Sequence, residues 1–312
     1  LPKYFDKEHY DVRVMLPKYL CIPEKWRSQM KYVTHFYMDL AWRSQYVGVL
    51  EMEYAGVHYY FIDNEFYFAG PKPYGYIHED IEKFAFFSKA ALSAMPLLGF
   101  KPDIVHCHDW QTGLVPVYMK ERFHDGEFFR DMKSIMTIHN LKFQGIWDLK
   151  KVKDITGLPP YFFTSDKLEA YGDANYLKGG IVYADAVTTV SDSYAEEIKT
   201  PFYGEHLDGL MRARSNCLTG IVNGIDTDLY NPETDPLLDY HFNKSDLSGK
   251  AQNKAKLQEK VGLPVRPDVP MIGIVSRLTR QKGFDVVVEG LHRMLQEDVQ
   301  IVLLGTGDPG FE

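Results

Sequence analysis

Short apolar runs recur along this chain at lengths that suit buried strands. They are Val12–Leu16, Val57–Ile62, Ile104–His106, Ile135–Ile138, Val187–Val190, Met271–Val275 and Ile301–Leu304. Helical patterns fall between most of them. Phe84, Phe87, Ala91, Met95 and Leu98 step by three and four residues, which places them on one helix face. Ser193-Tyr194-Ala195-Glu196 reads as a capping box that opens a helix after the Val187 strand. Lys250–Val261 reads as a polar-faced helix stopped by Gly262. Strands alternating with helices predict an α/β fold with parallel sheets covered on both faces. One exception is predicted: Tyr46–Glu53, a turn at Ala55-Gly56 and Val57–Ile62 form an antiparallel hairpin.

From Asn223 to Ser248 the period fails, and Gly224, Asn231, Pro232, Pro236 and Ser245 punctuate the chain. That stretch reads as a crossover between domains, and the predicted division is 1–240 and 241–312. The second part holds two predicted strands, and the first opens at Leu1–Phe5 in what reads as a helix end. The expectation is a span cut at both ends from a longer protein.

Bulk properties narrow the partners. At 312 residues, 45% hydrophobic and 25% charged, the chain has the composition of a soluble globular protein. A net charge of −8 disfavours nucleic acid and acidic membrane surfaces as partners. Cys21, Cys107 and Cys217 show no ligand spacing and suit a reducing compartment. No apolar stretch reaches bilayer length.

In parallel α/β sheets, ligands bind beyond the carboxyl ends of strands. Four unusual segments follow strands here. Ser276-Arg277-Leu278-Thr279-Arg280-Gln281-Lys282-Gly283 places Arg277 and Lys282 in a short loop before a helix start, where both cations can meet one anion such as a diphosphate. Alone, such a loop reads more often as a solvated basic turn. His106 and His108 sit two apart on a strand end; His106 suits a buried, hydrogen-bonded place and His108 a place in the cleft. No carboxylate or cysteine spacing completes a metal set with them. His139-Asn140, followed by Phe143-Gln144-Gly145, offers donors and acceptors suited to sugar hydroxyls, or a satisfied turn. Gly305-Thr306-Gly307 is part of a dinucleotide-like glycine turn, or simply a tight turn. Asp226-Thr227-Asp228 reads as a solvated turn rather than a metal-binding pair.

The segments also occur in a telling order. His108-Asp109-Trp110-Gln111-Thr112-Gly113, Thr137-Ile138-His139-Asn140-Leu141, Phe143-Gln144-Gly145, Lys178-Gly179-Gly180-Ile181, Val190-Ser191, Gly209-Leu210, Val222-Asn223-Gly224-Ile225-Asp226, Ser276-Arg277-Leu278 and Gln281-Lys282-Gly283 together resemble bacterial glycogen synthases and plant starch synthases across the whole chain. The resemblance implies a GT-B fold of two facing Rossmann-like domains, the second only partly present. It implies glucose transfer from ADP-glucose to the non-reducing end of an α-1,4-glucan with retention, in the bacterial cytoplasm, with no cofactor and no metal. On this reading His108, Arg277 and Lys282 are catalytic. Arg277, Lys282, Gly305, Thr306 and Gly307 hold the donor, and His139, Asn140 and Gln144 the acceptor. Two family segments are absent: a Lys-Thr-Gly-Gly loop would precede Leu1 and a Glu-Pro-Cys-Gly segment would follow Glu312. At Phe68-Ala69-Gly70-Pro71-Lys72-Pro73-Tyr74 the chain departs from the family pattern in a loop on the acceptor side. A UDP-glucose transferase and a non-catalytic glucan-binding remnant are the competing readings.

Overall fold

The computed structural model describes residues 1–123 and 126–312 and divides into two compact units, Leu1–Gly224 and Ile225–Glu312. The first unit contains strands β1 (Arg13–Pro17), β2 (Lys31–Leu40), β3 (Arg43–Tyr54), β4 (Val57–Asp63), β5 (Ile104–His108), β6 (Lys133–Ile138), β7 (Ile146–Asp148), β8 (Glu169–Ala170), β9 (Asp173–Asn175), β10 (Ala186–Thr189) and β11 (Leu218–Gly220). One sheet runs β1-β4-β3-β2, a second β11-β10-β6-β5, and a small third β7-β9-β8. The second sheet is parallel throughout, with His108 opposite Thr137 and Thr137 opposite Thr188. Its strands therefore all end on one edge.

The predicted hairpin forms as β3 and β4, turning at Ala55 and Gly56, both at positive φ. β2 was not predicted. It pairs antiparallel with β3, but a bulge between Tyr32 and Thr34 breaks its side-chain alternation, and much of its length is solvent-facing. The Ile77–Ala94 helix is buried nearly all round, through Phe84, Phe86, Phe87, Ala90 and Leu92. It buries a charge pair too: Lys83 Nζ donates to Asp80 at 2.6 Å and to the Pro73 carbonyl at 3.3 Å. Asp80 in turn accepts from the Gly75 N–H, so the pair fixes the 73–75 loop.

Close helix contacts account for several glycines. A Cβ on Gly113 would lie 2.2 Å from the Tyr176 carbonyl oxygen, so the chain after Trp110 rests directly on the Tyr176–Tyr183 helix. The helix after β10 spans Asp192–Glu197, and its cap is Ser191, whose Oγ accepts from the Tyr194 N–H at 3.0 Å. The expected Ser193 cap is thus displaced by two residues. Ser191 has the extended backbone a cap needs, and Ser193 is already inside the helix.

In the second unit, β12 (Met271–Val275) and β13 (Gln300–Leu304) pair in parallel on either side of the Phe284–Met294 helix. The Ser248–Lys260 helix is tied to β13 by a buried amide contact, Gln258 Nε2 to Gln300 Oε1 at 2.5 Å. Gly262, at φ +73°, follows that helix, as the sequence predicts. No regular element occupies 221–247. Among the described residues, no helix is long and apolar enough to cross a membrane.

Candidate active site

In the first unit, the predicted residues gather at the carboxyl ends of β5 and β6. His106, His108 and His139 form a column of rings. Centroids lie 4.3 Å apart for His106 and His108, and 5.3 Å for His108 and His139. His108 Nδ1 and His139 Nε2 are 3.0 Å apart, so one ring donates and the other accepts. His106 Nε2 meets Thr137 Oγ1 at 2.6 Å, and Thr137 meets Thr188 across β10 at 2.6 Å. His106 is hydrogen-bonded as expected but keeps a solvent-exposed surface rather than being buried, because its strand face opens outward at the sheet edge.

Desolvation first, and the crowding of the rings second, set their charge. Both His106 and His108 keep accessible surface, yet the packed strand ends beneath them displace water. Desolvation, then the neighbouring His106 and His139 rings, push His108 down to about 4. Desolvation and His139 lower His106 as well. At neutral pH His108 is therefore a neutral ring.

Asp109 holds the column in place. It adopts φ +54°, an unusual conformation for a residue with a side chain. There its carboxylate accepts the His139 N–H at 2.8 Å, while its own N–H donates to the Thr137 carbonyl. Burial raises its pKa, and the His139 and Asn140 N–H groups oppose that shift. Thr112 clamps the other side. Its Oγ1 accepts the His108 N–H at 2.6 Å and donates to the His108 carbonyl at 2.9 Å.

Asn140 Oδ1 accepts the Lys142 N–H at 3.1 Å and starts the following turn. Gln144 points inward and is 8% exposed. Its Nε2 donates to the Leu141 and Glu205 carbonyls, and its Oε1 accepts from Asn175 at 2.6 Å. It holds the loop rather than lining its surface. Gly145, at φ +64°, lets Trp110 pack against the loop: a Cβ there would lie 2.3 Å from the indole. Tyr74, from the loop that the sequence places on the acceptor side, meets this region through Gln111. Its hydroxyl accepts from Gln111 Nε2 at 3.3 Å, a contact between residues 37 apart that no local pattern encodes.

The second unit brings the other predicted residues together. Beyond β12 and β13 the two loops continue side by side: the Leu278 N–H donates to the Thr306 carbonyl and the Asp308 N–H to the Leu278 carbonyl. Arg277 and Lys282 are exposed, and among the described residues neither has a side-chain hydrogen bond or ion pair. Arg280 between them is tied to Asp285 at 3.1 Å. Lys282 closes a short turn, and Gly283 at φ +77° leads into the 11-residue Phe284–Met294 helix. Its first N–H groups and two unengaged cations thus lie on neighbouring stretches of one loop.

Two Rossmann-like halves of this kind, with strand-end sites in each, define the GT-B class, and comparison with known proteins agrees. The model of the starch synthase catalytic domain matches residues 1–213, and the chain belongs to that family. It is similar to glycogen synthases of Lachnospira eligens (69% identity) and Streptococcus pneumoniae (52%), each aligned over 100% of this chain. The chain spans 66% and 65% of those proteins' lengths. Among solved structures, the catalytic domain of starch synthase IV from Arabidopsis thaliana, bound to ADP and acarbose, is similar over 97% of this chain and 63% of its own. The TM-score is 0.86 at 30% identity.

Proposed function

We propose that the protein is a glycogen synthase, moving glucose from ADP-glucose to the non-reducing end of an α-1,4-glucan with retention of configuration. The observation that carries this reading is the loop after β12. Two exposed cations with no side-chain partner among the described residues stand there beside a helix N-terminus, a setting that stabilises charge on a departing diphosphate. As the bond between glucose C1 and the diphosphate oxygen breaks, negative charge grows on that oxygen. Arg277 and Lys282 offset it, and the loop Gly305-Thr306-Gly307 frames the nucleotide. The glycogen synthase relatives and the ADP-bound neighbour support the same donor chemistry.

On the acceptor side, His108 contacts the transferred glucose through Nε2, because Nδ1 is engaged by His139. His139 and Asn140 supply hydroxyl contacts. Gln144 acts through the loop it braces. On this reading the reaction runs in the bacterial cytoplasm. The test is to incubate the purified full-length protein with radiolabelled ADP-glucose or UDP-glucose and glycogen, then digest the product with an exo-acting α-1,4-glucosidase. Label incorporated from ADP-glucose and released by the digestion is expected. Preference for UDP-glucose, or glycogen binding without incorporation, would overturn the proposal.

A further inference from the structure

Asp80 and Lys83, one turn apart near the start of the Ile77–Ala94 helix, form a buried ion pair. Such a pair is a poor way to hold a fold together. Desolvating two charges offsets most of their attraction, and apolar residues of similar volume often serve stability as well or better. The outward bonds of the pair are more telling. Lys83 Nζ donates to the Pro73 carbonyl at 3.3 Å. Asp80 accepts the Gly75 N–H through its two carboxylate oxygens, at 3.2 and 3.0 Å. Together these bonds grip the backbone immediately before and immediately after one residue, Tyr74.

Tyr74 passes that placement on to the end of β5. Its ring lies 6.1 Å from the Phe84 ring, and Phe84 meets Trp110 edge-on at 5.1 Å. Its hydroxyl accepts from Gln111 Nε2. Burial raises the pKa of the phenol, and the charges of Asp109 and Asp80 add to the shift, so the hydroxyl stays protonated. Gln111 sits in the single turn Trp110–Thr112. Before that turn, Asp109 accepts the His139 N–H; at its end, the Thr112 hydroxyl bonds both the N–H and the carbonyl of His108. The Gln111 carbonyl also accepts from Ser88 at 3.4 Å, so the Ile77–Ala94 helix reaches this turn at a second point.

From this geometry we infer that Asp80 and Lys83 are positioning residues for the strand-end site: by clamping the backbone on both sides of Tyr74, they brace the Trp110–Thr112 turn and, through it, the His108 ring. The effect on glucose transfer rests on the proposed function; the clamp on the 73–75 loop does not.

The test uses the full-length protein with two replacements of the pair. Asp80→Leu with Lys83→Met fills similar space but makes neither backbone bond. Asp80→Asn with Lys83→Gln removes both charges yet keeps an acceptor for Gly75 and a donor for Pro73. Thermal melting, hydrogen exchange of the 70–76 segment and kcat for glucose transfer are read on each. The apolar pair is expected to melt near wild type, to exchange the 70–76 amides faster and to lose about tenfold in kcat, within the range that a small misplacement of reacting groups costs. The amide pair is expected to recover slow exchange and most of the turnover, a rescue that a role in overall stability would not produce. Tyr74→Ala, at an exposed side chain, is expected to lose turnover to a similar extent. Combined with the apolar pair it should lose little more, since both act by one route. Wild-type turnover in Tyr74→Ala overturns the inference whether or not the apolar pair folds, and so do independent, multiplying losses or unchanged exchange in the apolar pair. If wild type transfers no glucose while the apolar pair still frees the 70–76 segment, the proposed function fails and the clamp stands.

Discussion

Gly305 lies so close to Ser276 that a Cβ on it would sit 1.9 Å from the Ser276 carbonyl oxygen. Gly307 has the same relation to Leu278, at 2.2 Å. The two glycines therefore let the loops after β12 and β13 lie edge to edge. Gly305→Ala should force the loops apart and cost about 1–3 kcal/mol, the usual cost of overpacking. Thermal melting and ADP titration check this together. An unchanged melt with unchanged ADP affinity would show that the loops are not in contact.

In the full-length protein, Lys282→Ala should lower kcat by about a hundredfold or more, as removal of one preorganised charge donor typically does. The KM for glycogen should stay near wild type, since the loop carries no acceptor contacts in the proposed scheme. Arg277→Ala should behave alike. Steady-state kinetics with glycogen varied at saturating ADP-glucose gives the readout, and wild-type turnover in both variants would leave the loop a solvated turn.

The histidine column predicts a pH signature in stability. The unfolded chain protonates His108 near its ordinary value of 6.5, and the folded protein resists until about pH 4. Between those values the unfolded state holds more protons, so acid favours unfolding. The column's contribution is complete above about pH 6.5, declines as pH falls and levels off below about pH 4. His106 acts in the same direction. His108→Asn should flatten the fall in urea midpoint between about pH 7 and pH 5. A variant with the wild-type slope would remove His108 from the account.

Ser191→Ala should cost about 1 kcal/mol, the usual value of a helix cap, and Ser193→Ala much less. Denaturant midpoints of the two variants separate the caps directly.

Much of this architecture could be read from the residues, and the exceptions have physical causes. β12 has the bounds that its apolar run predicts, and β13 begins one residue earlier. Buried parallel strands are nearly continuous apolar stretches, which local pattern captures. β2 escaped because a bulge between Tyr32 and Thr34 interrupts its alternation and Tyr32, His35 and Tyr37 face water, so only its end, at Met38 and Leu40, shows a buried face. The meeting of His108 with His139 followed from both lying at strand ends in one parallel sheet. The contact of Tyr74 with Gln111 and the inward turn of Gln144 arise only once the chain has folded, and nothing local announces them.

Gln144 satisfies three partners at once, and Trp110 fills the space that Gly145 leaves open. The loop from His139 to Gly145 is thereby set before any sugar arrives. A ligand that meets an already ordered surface forfeits little chain entropy on binding. Acceptor binding at this loop should then show heat release without the large opposing entropy of a segment that folds around its ligand. Loosening the loop through Gln144→Ala should shift that balance toward entropy loss, because its buried side chain braces the loop from within.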